Sequence, residues 1–275
     1  MSYQFSEISD GVFALVPSFE HRFTCNIGII VDDDELILVD TGGPQSAYEE
    51  LVHTLKRFSQ PVRKIILTHG HGDHVGGAHH FPGTSIYCSE ACCQSLKAPP
   101  MIDALKKLHP PIAEELEIFQ HPKPTEIVNS SEAIGNRINI SVMKGHTTGD
   151  LVVKIPDADL VFTGDLCFFG HIPLGIGADF RTWLTSLETL RAGGAQTIIP
   201  GHGPVGGETE MMIVAEYIEA LIHAAETESE MMTGPWSDWF DPWGERIPGA
   251  THKINRESYL QPDAFPQTLI QLLSG

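Results

Sequence analysis

The chain predicts an α/β sandwich, on three observations. Its 275 residues, 41% of them hydrophobic, are enough to bury a large core, which suits one domain carrying an extension. Apolar strand-like runs alternate with helical patterns, as layered α/β folds require. Several of those runs end in a small residue followed at once by His or Asp. Strand ends are rigid platforms, so that arrangement gathers the polar side chains at one edge of a sheet.

Taken in order, Gly11 to Val16, Thr24 to Val31 and Glu35 to Asp40 read as strands. Asp32-Asp33-Asp34 supplies a turn between the second and third, predicting an antiparallel hairpin. Asp40 ends the third run beside Thr41-Gly42-Gly43. Its carboxylate has two readings, a brace that accepts the free N–H of a ligand histidine or an ordinary helix cap. Pro44 opens a helix with Ala47, Leu51, Leu55 and Phe58 at helical spacing, and Pro61 marks its end.

Ile65 to Thr68 reads as a buried strand leading into Thr68-His69-Gly70-His71-Gly72-Asp73-His74-Val75-Gly76-Gly77. Gly70 and Gly72 let the backbone turn sharply, so His69 and His71 can point the same way off the strand end. Asp73 and His74 fall at the start of the next helix, aimed from the other side, where a second cation has room beside the first. Imidazole and carboxylate suit zinc, iron or manganese, and the absence of cysteine here argues against a structural thiolate site. His79 and His80 lie just past the motif and read as packing or surface residues.

A short strand at Thr84 to Tyr87 and a helix from Ser89 come next. Between Ala98 and Pro124 repeated prolines punctuate a partly helical stretch, Met101 to Leu108 and Ile112 to Phe119, which reads as an insertion over the site. Its Met101, Ile102, Leu105, Ile118 and Phe119 fit a substrate pocket or a subunit contact equally. Strands return at Ile134 to Met143, Leu160 to Thr163 and Thr197 to Pro200, each delivering a His or Asp. Asp179 caps a helix with Phe180, Trp183, Leu187 and Leu190 on one face. A long helix runs from about Glu208 to Glu230. The stretch Trp236 to Trp243 holds three tryptophans, which fits a lid, a dimer contact or docking of the tail. An amphipathic helix near Phe265 to Leu273 closes the chain. Residues 1–275 thus read as a single domain, with a helical insertion at about 98–124 and a Trp-rich extension at about 205–275.

The motif at 69–74 has the form H-x-H-x-D-H. With Val39-Asp40-Thr41-Gly42 upstream and Gly145-His146-Thr147-Thr148-Gly149, Thr163-Gly164-Asp165 and Pro200-Gly201-His202-Gly203 downstream, the chain resembles the metallo-β-lactamase superfamily across roughly residues 10–205. The resemblance implies a four-layer αββα sandwich and two divalent metal ions, with zinc the first choice. It implies that His69, His71 and His146 hold one metal, that Asp73, His74 and His202 hold the other, and that Asp165 bridges them. A metal-bound hydroxide, formed near neutral pH because coordination lowers the pKa of water, would then be the nucleophile, and the metals would stabilise the oxyanion. Asp73 would also handle a proton.

His74, in place of the Arg or Cys arrangement of the common zinc β-lactamases, together with Asp165, is closer to glyoxalase II-like thioesterases and lactonases. The expectation is a dinuclear hydrolase attacking an ester, thioester or lactone carbonyl. The alternative is an iron-dependent oxidoreductase of the same superfamily, acting on persulfide or oxygen species; β-lactamase and phosphodiesterase activities rank lower. A binding protein on an unproductive site is disfavoured by the intact set of donors. In Leu166-Cys167-Phe168-Phe169-Gly170-His171, His171 has two readings, a hydrogen bond to substrate with both Phe lining the acyl side, or a satisfied loop histidine with both Phe in the core.

The net charge of -19 disfavours a nucleic-acid partner, which needs clustered Lys and Arg. Met1 to Asp10 is polar, Val12 to Val16 is too short for a signal core, and no run approaches membrane-spanning length. The five cysteines, Cys25, Cys88, Cys92, Cys93 and Cys167, lack a disulfide-framework spacing and fit reduced thiols. The expectation is a cytoplasmic enzyme on a small-molecule substrate, without nucleic-acid or membrane partners, a homodimer being left open.

Overall fold

The computed structural model describes residues 2–18 and 23–274. One sheet comprises β1 (Tyr3–Ser9), β2 (Val12–Pro17), β3 (Ile27–Asp32), β4 (Glu35–Val39), β5 (Val62–Ile66), β6 (Ser85–Ser89) and β7 (Glu126–Val128), each beside its sequence neighbour. Pairing is antiparallel up to β4 and parallel beyond it. The change of sense is made by α1 (Gln45–Leu55), which carries the chain from β4 back to β5. Short helices α2 (Gly72–Val75), α3 (Glu90–Ser95) and α4 (Ile102–Leu108) follow.

The second sheet holds β8 (Ser131–Ile134), β9 (Ile138–Met143), β10 (Asp150–Ile155), β11 (Leu160–Phe168) and β12 (Thr197–His202), in the order β12-β11-β10-β9-β8. Within this sheet, among the described residues, only β11 and β12 pair in parallel, joined through α5 (Phe180–Ala192). Helices α6 (Glu208–Glu226), α7 (Ala250–Leu260) and α8 (Gln267–Ser274) complete the chain. None of the described helices is long and apolar enough to cross a membrane.

Side-chain alternation makes this a four-layer αββα sandwich, because successive strand residues face opposite sides of a sheet. Along β4, Leu36 and Leu38 pack outward in a core with Leu51 and Val75. Ile37 and Val39 pack inward, in a core with Ile140, Leu151 and Val153 of the facing sheet. A strand buried on both faces reads as a continuous apolar run, as β3 and β4 do; β11 is equally buried but carries Thr163-Gly164-Asp165 in its middle. On the far side of the second sheet, Trp183 and Leu187 of α5 and Val214, Tyr217 and Ile218 of α6 form the outer core.

Several boundaries differ from expectation. The predicted strand Ile134 to Met143 is broken into β8 and β9 at Gly135, whose φ of 62° lies in the left-handed region. The turn is held because Asn136 N donates to the Asp32 carboxylate at 3.0 Å, and Gly-Asn between apolar runs was the signal for it. The strand expected to stop at Thr163 continues as β11 to Phe168, so Asp165 lies inside a strand, where pairing with β12 slips at Gly164. The helix from Glu208 ends at Glu226, four residues early. The polar edge strand β1 and the polar helix α7 carry too little apolar periodicity to be read from sequence.

The two sheets approach closely at Gly28, where an added Cβ would lie 2.5 Å from the Phe162 ring. Gly28→Ala is expected to overpack this contact and lower stability by about 1–3 kcal/mol, measured by urea denaturation against the parent chain.

Candidate metal centre

The donor side chains come from strand ends and the turns that follow them. His69, His71, Asp73 and His74 follow β5, His146 lies between β9 and β10, Asp165 lies in β11, and His202 ends β12. The sheets are laced together at this edge. Leu151 N donates to Thr68 O at 2.6 Å, and Asn26 N donates to Gly201 O at 2.8 Å.

Two groups of donor atoms result. In the first, His71 Nδ1 lies 3.0 Å from both His69 Nε2 and His146 Nε2. Asp165 Oδ2 is 3.3 Å from His146 Nε2 and 3.7 Å from His69 Nε2. In the second, His74 Nε2 and His202 Nε2 are 3.4 Å apart. Asp73 Oδ2 lies 3.3 Å from His202 Nε2, and Asp165 Oδ1 lies 3.1 and 3.3 Å from His74 and His202. Asp165 therefore turns one oxygen to each group.

These spacings fit metal ions. Nitrogen and oxygen donors about 2.0–2.1 Å from one tetrahedral zinc stand about 3.3 Å from each other. Asp165 Oδ1 is buried without a hydrogen-bond partner, a costly state for a carboxylate unless a cation faces it. Burial lowers the pKa of His69 and His71 and brings His146 to about 3, so these imidazoles are neutral, the form that binds metal. Burial opposes ionisation of Asp165 and Asp73, but His74 and His202, whose own pKa values the neighbouring carboxylates raise, outweigh it and hold both carboxylates low. The cluster can thus hold metal, and all seven predicted donors are in it.

Side chains behind the donors fix which nitrogen each ring presents. Asp40 accepts the His74 Nδ1–H at 2.8 Å, the brace that was one of its two readings. It also accepts Thr68 Oγ1–H at 2.7 Å, leaving the Thr68 oxygen to face His69 Nδ1 at 3.1 Å. Both rings then turn Nε2 to the site. Cys25 lies with Asp40 and His74, and burial pushes its thiol up to about 11, so it stays protonated.

Sequence reasoning missed Asn26 and Asp150. Asn26 Nδ2 donates to Pro200 O and Gly203 O, each at 2.8 Å, and clamps the turn carrying His202. Asp150 accepts from Thr147 N at 3.1 Å and Thr147 Oγ1 at 2.6 Å, and shapes the turn carrying His146. The Thr147-x-x-Asp150 spacing was a readable turn signal; nothing local marked Asn26. His171 lines the cavity beside the donors, with Nδ1–H donating to Phe169 O at 3.2 Å, and burial lowers its pKa to about 4. The two Phe divide: Phe168 lines the cavity and stacks on His202 at 5.0 Å, while Phe169 is core. His79 donates to Gly76 O and His80 stacks on Tyr48, both away from the donors.

The metallo-beta-lactamase superfamily profile matches residues 22–202. The chain belongs to the metallo-beta-lactamase superfamily. As a member, it is 29% identical over 202 residues to hydroxyacylglutathione hydrolase GloC of Haemophilus influenzae, covering 66% of this chain and 86% of that protein. It is 25% identical over 186 residues to the atrochrysone carboxyl ACP thioesterase of Aspergillus fumigatus, covering 66% of this chain and 51% of that one. The chain spans only about half the length of that thioesterase, and 58% of Bacillus subtilis YobT. The metallo-beta-lactamase FIM-1 from Pseudomonas aeruginosa, solved in its mono-zinc form, shares the fold at a TM-score of 0.63 and 23% identity, covering 80% of this chain and 96% of that one.

Two outcomes follow from the supporting side chains. Asp40→Ala leaves His74 Nδ1–H unpaired and is expected to weaken zinc binding by about 10–100-fold, read by chelator competition. Burial raises Asp150 to about 7 from an ordinary 3.8. Its folded form binds a proton more readily than its unfolded form, so its stability contribution is present below the lower value and lost as pH rises through the higher. In metal-free protein, Asp150→Asn should flatten the fall in stability over that interval, followed by denaturant midpoints against pH.

Proposed function

We propose that this chain is a dinuclear metal-dependent hydrolase of an ester, thioester or lactone, with zinc the first-choice metal. The observation that carries the reading is the split of Asp165, one oxygen toward His69 and His146 and the other toward His74 and His202. A carboxylate so placed, flanked by two sets of imidazoles, suits a pair of cations better than one. Metal ions bound there would supply an activated water near neutral pH and polarise the carbonyl. The thioesterase and the hydroxyacylglutathione hydrolase among the relatives support acyl transfer to water.

In the overall reaction water adds to the acyl carbon, the bond from that carbon to oxygen or sulfur breaks, and a proton goes to the departing alcohol or thiol. His69, His71 and His146 would hold one ion, Asp73, His74 and His202 the other, with Asp165 shared. Asp73 lines the cavity and is held ionised, so its carboxylate is positioned to take the water's proton and pass it to the leaving group. His171, neutral and in the cavity wall, orients substrate by hydrogen bonding. The substrate is a small molecule, and free cysteines support a cytoplasmic setting.

Zinc-loaded protein should hydrolyse members of a panel of aryl esters, thioesters and lactones, lose activity to chelator and regain it with zinc. Asp73→Asn, assayed at zinc concentrations that give full loading by elemental analysis, should lower kcat by about 10²-fold or more; unchanged kcat at full loading would exclude the proton role. Oxygen consumption coupled to turnover would overturn the hydrolase reading in favour of iron-dependent redox chemistry.

A further inference from the structure

Above the donor cluster lies a cavity of about 340 Å³, a size suited to a small molecule. Its floor is polar, with His71, Asp73, Asp165 and His202. Its walls are mostly apolar: besides Phe168 of β11 they come chiefly from outside the two sheets, from Leu105 and Leu108 of α4, Phe240 and Trp243 of the Trp-rich segment, and Leu269 and Leu273 of α8, with the imidazoles of His109 and His171 among them. Among the described residues, no Lys or Arg lines it.

The walls are held rather than loosely apposed. Trp243, Leu269 and Leu272 pack with Ala250 and Ile254 of α7 in a core of their own, and Leu108 joins it. Arg246 donates to Lys107 O near the end of α4, at 3.2 Å, and to Leu272 O near the end of α8. One guanidinium thus ties the insertion to the tail. The Trp-rich segment is anchored in turn, since Phe240 N donates to Gly170 O at 2.9 Å and Ile172 N to Phe240 O at 3.0 Å.

We infer that this cavity is an acyl-binding site for an uncharged apolar group, a medium-length aliphatic chain or an aromatic ring, lying between α4 and α8 with its carbonyl at the polar floor. This specifies the substrate of the proposed hydrolase and rests on that reading. Apolar walls reward each buried methylene with about fourfold tighter binding, whereas a charged acyl end would be desolvated with no Lys or Arg in the walls to pair with it.

The test uses the full zinc-loaded chain with p-nitrophenyl esters from acetate to laurate, and the chelator-treated chain with unreactive alkyl amides of the same lengths in calorimetry. Ester kcat/KM and amide affinity should both rise by about fourfold per methylene until the cavity fills. An ester ending in a carboxylate should be at least about tenfold poorer than its uncharged counterpart. Leu105→Trp and Leu273→Trp, at partly buried wall positions, should each move the preferred length shorter in both assays. Ester hydrolysis indifferent to chain length, with no gradient in amide binding, would overturn the acyl site and leave the hydrolase standing. Amide binding with the expected gradient but no ester hydrolysis would support the site and overturn the hydrolase.

Discussion

A carboxylate buried among imidazoles is the constraint on which this structure depends. Asp165 is almost fully buried, and one of its oxygens has no hydrogen-bond partner. Such a group is stable only where positive charge faces it, and the histidines of three other segments surround it. The backbone around it is shaped by that crowding. Gly164 adopts a φ of 52° against Thr68, and a Cβ at Gly201 would collide with Asp165 Oδ1. Small residues beside the donors are therefore steric requirements, which explains why the strand ends share the same pattern.

The donors are held in position by an outer set of polar contacts. Asp40 and Thr68 fix the tautomers of His74 and His69, Asn26 joins the first sheet to the His202 turn, and Asp150 shapes the His146 turn. On the remaining side Trp183 of α5 backs His146 at 5.3 Å and donates to Leu166 O at 2.9 Å. Rigid support of this kind is what allows a constellation drawn from distant segments to hold its geometry. Side chains of α4, the Trp-rich segment and α8 then roof the donors, so most of the apolar wall comes from outside the two sheets.

Much of this was legible in the amino-acid order. The donors lie in short motifs next to glycine that close apolar runs, a pattern that together with the family resemblance marks them. The two-sided burial of β3 and β4 likewise appears as continuous apolar runs. Less was legible where polarity hid periodicity, as in β1 and α7, or where a glycine broke a run that otherwise read as one strand, as at Gly135. The Trp236 to Trp243 segment had three open roles; in the structure Trp236 packs against Tyr217 of α6 and Phe240 lines the cavity.

The sequence by itself marked the seven side chains that gather in the cluster, their order along the chain and the strands that carry them, because side-chain direction follows from local backbone period. Only the tertiary structure decided which nitrogen each histidine presents, that Asp165 divides between two groups, and that α4 and α8 share one apolar wall. Those outcomes depend on how separate segments pack across the sheets, and the distance between segments is set by the filling of the cores between them, which no local pattern encodes.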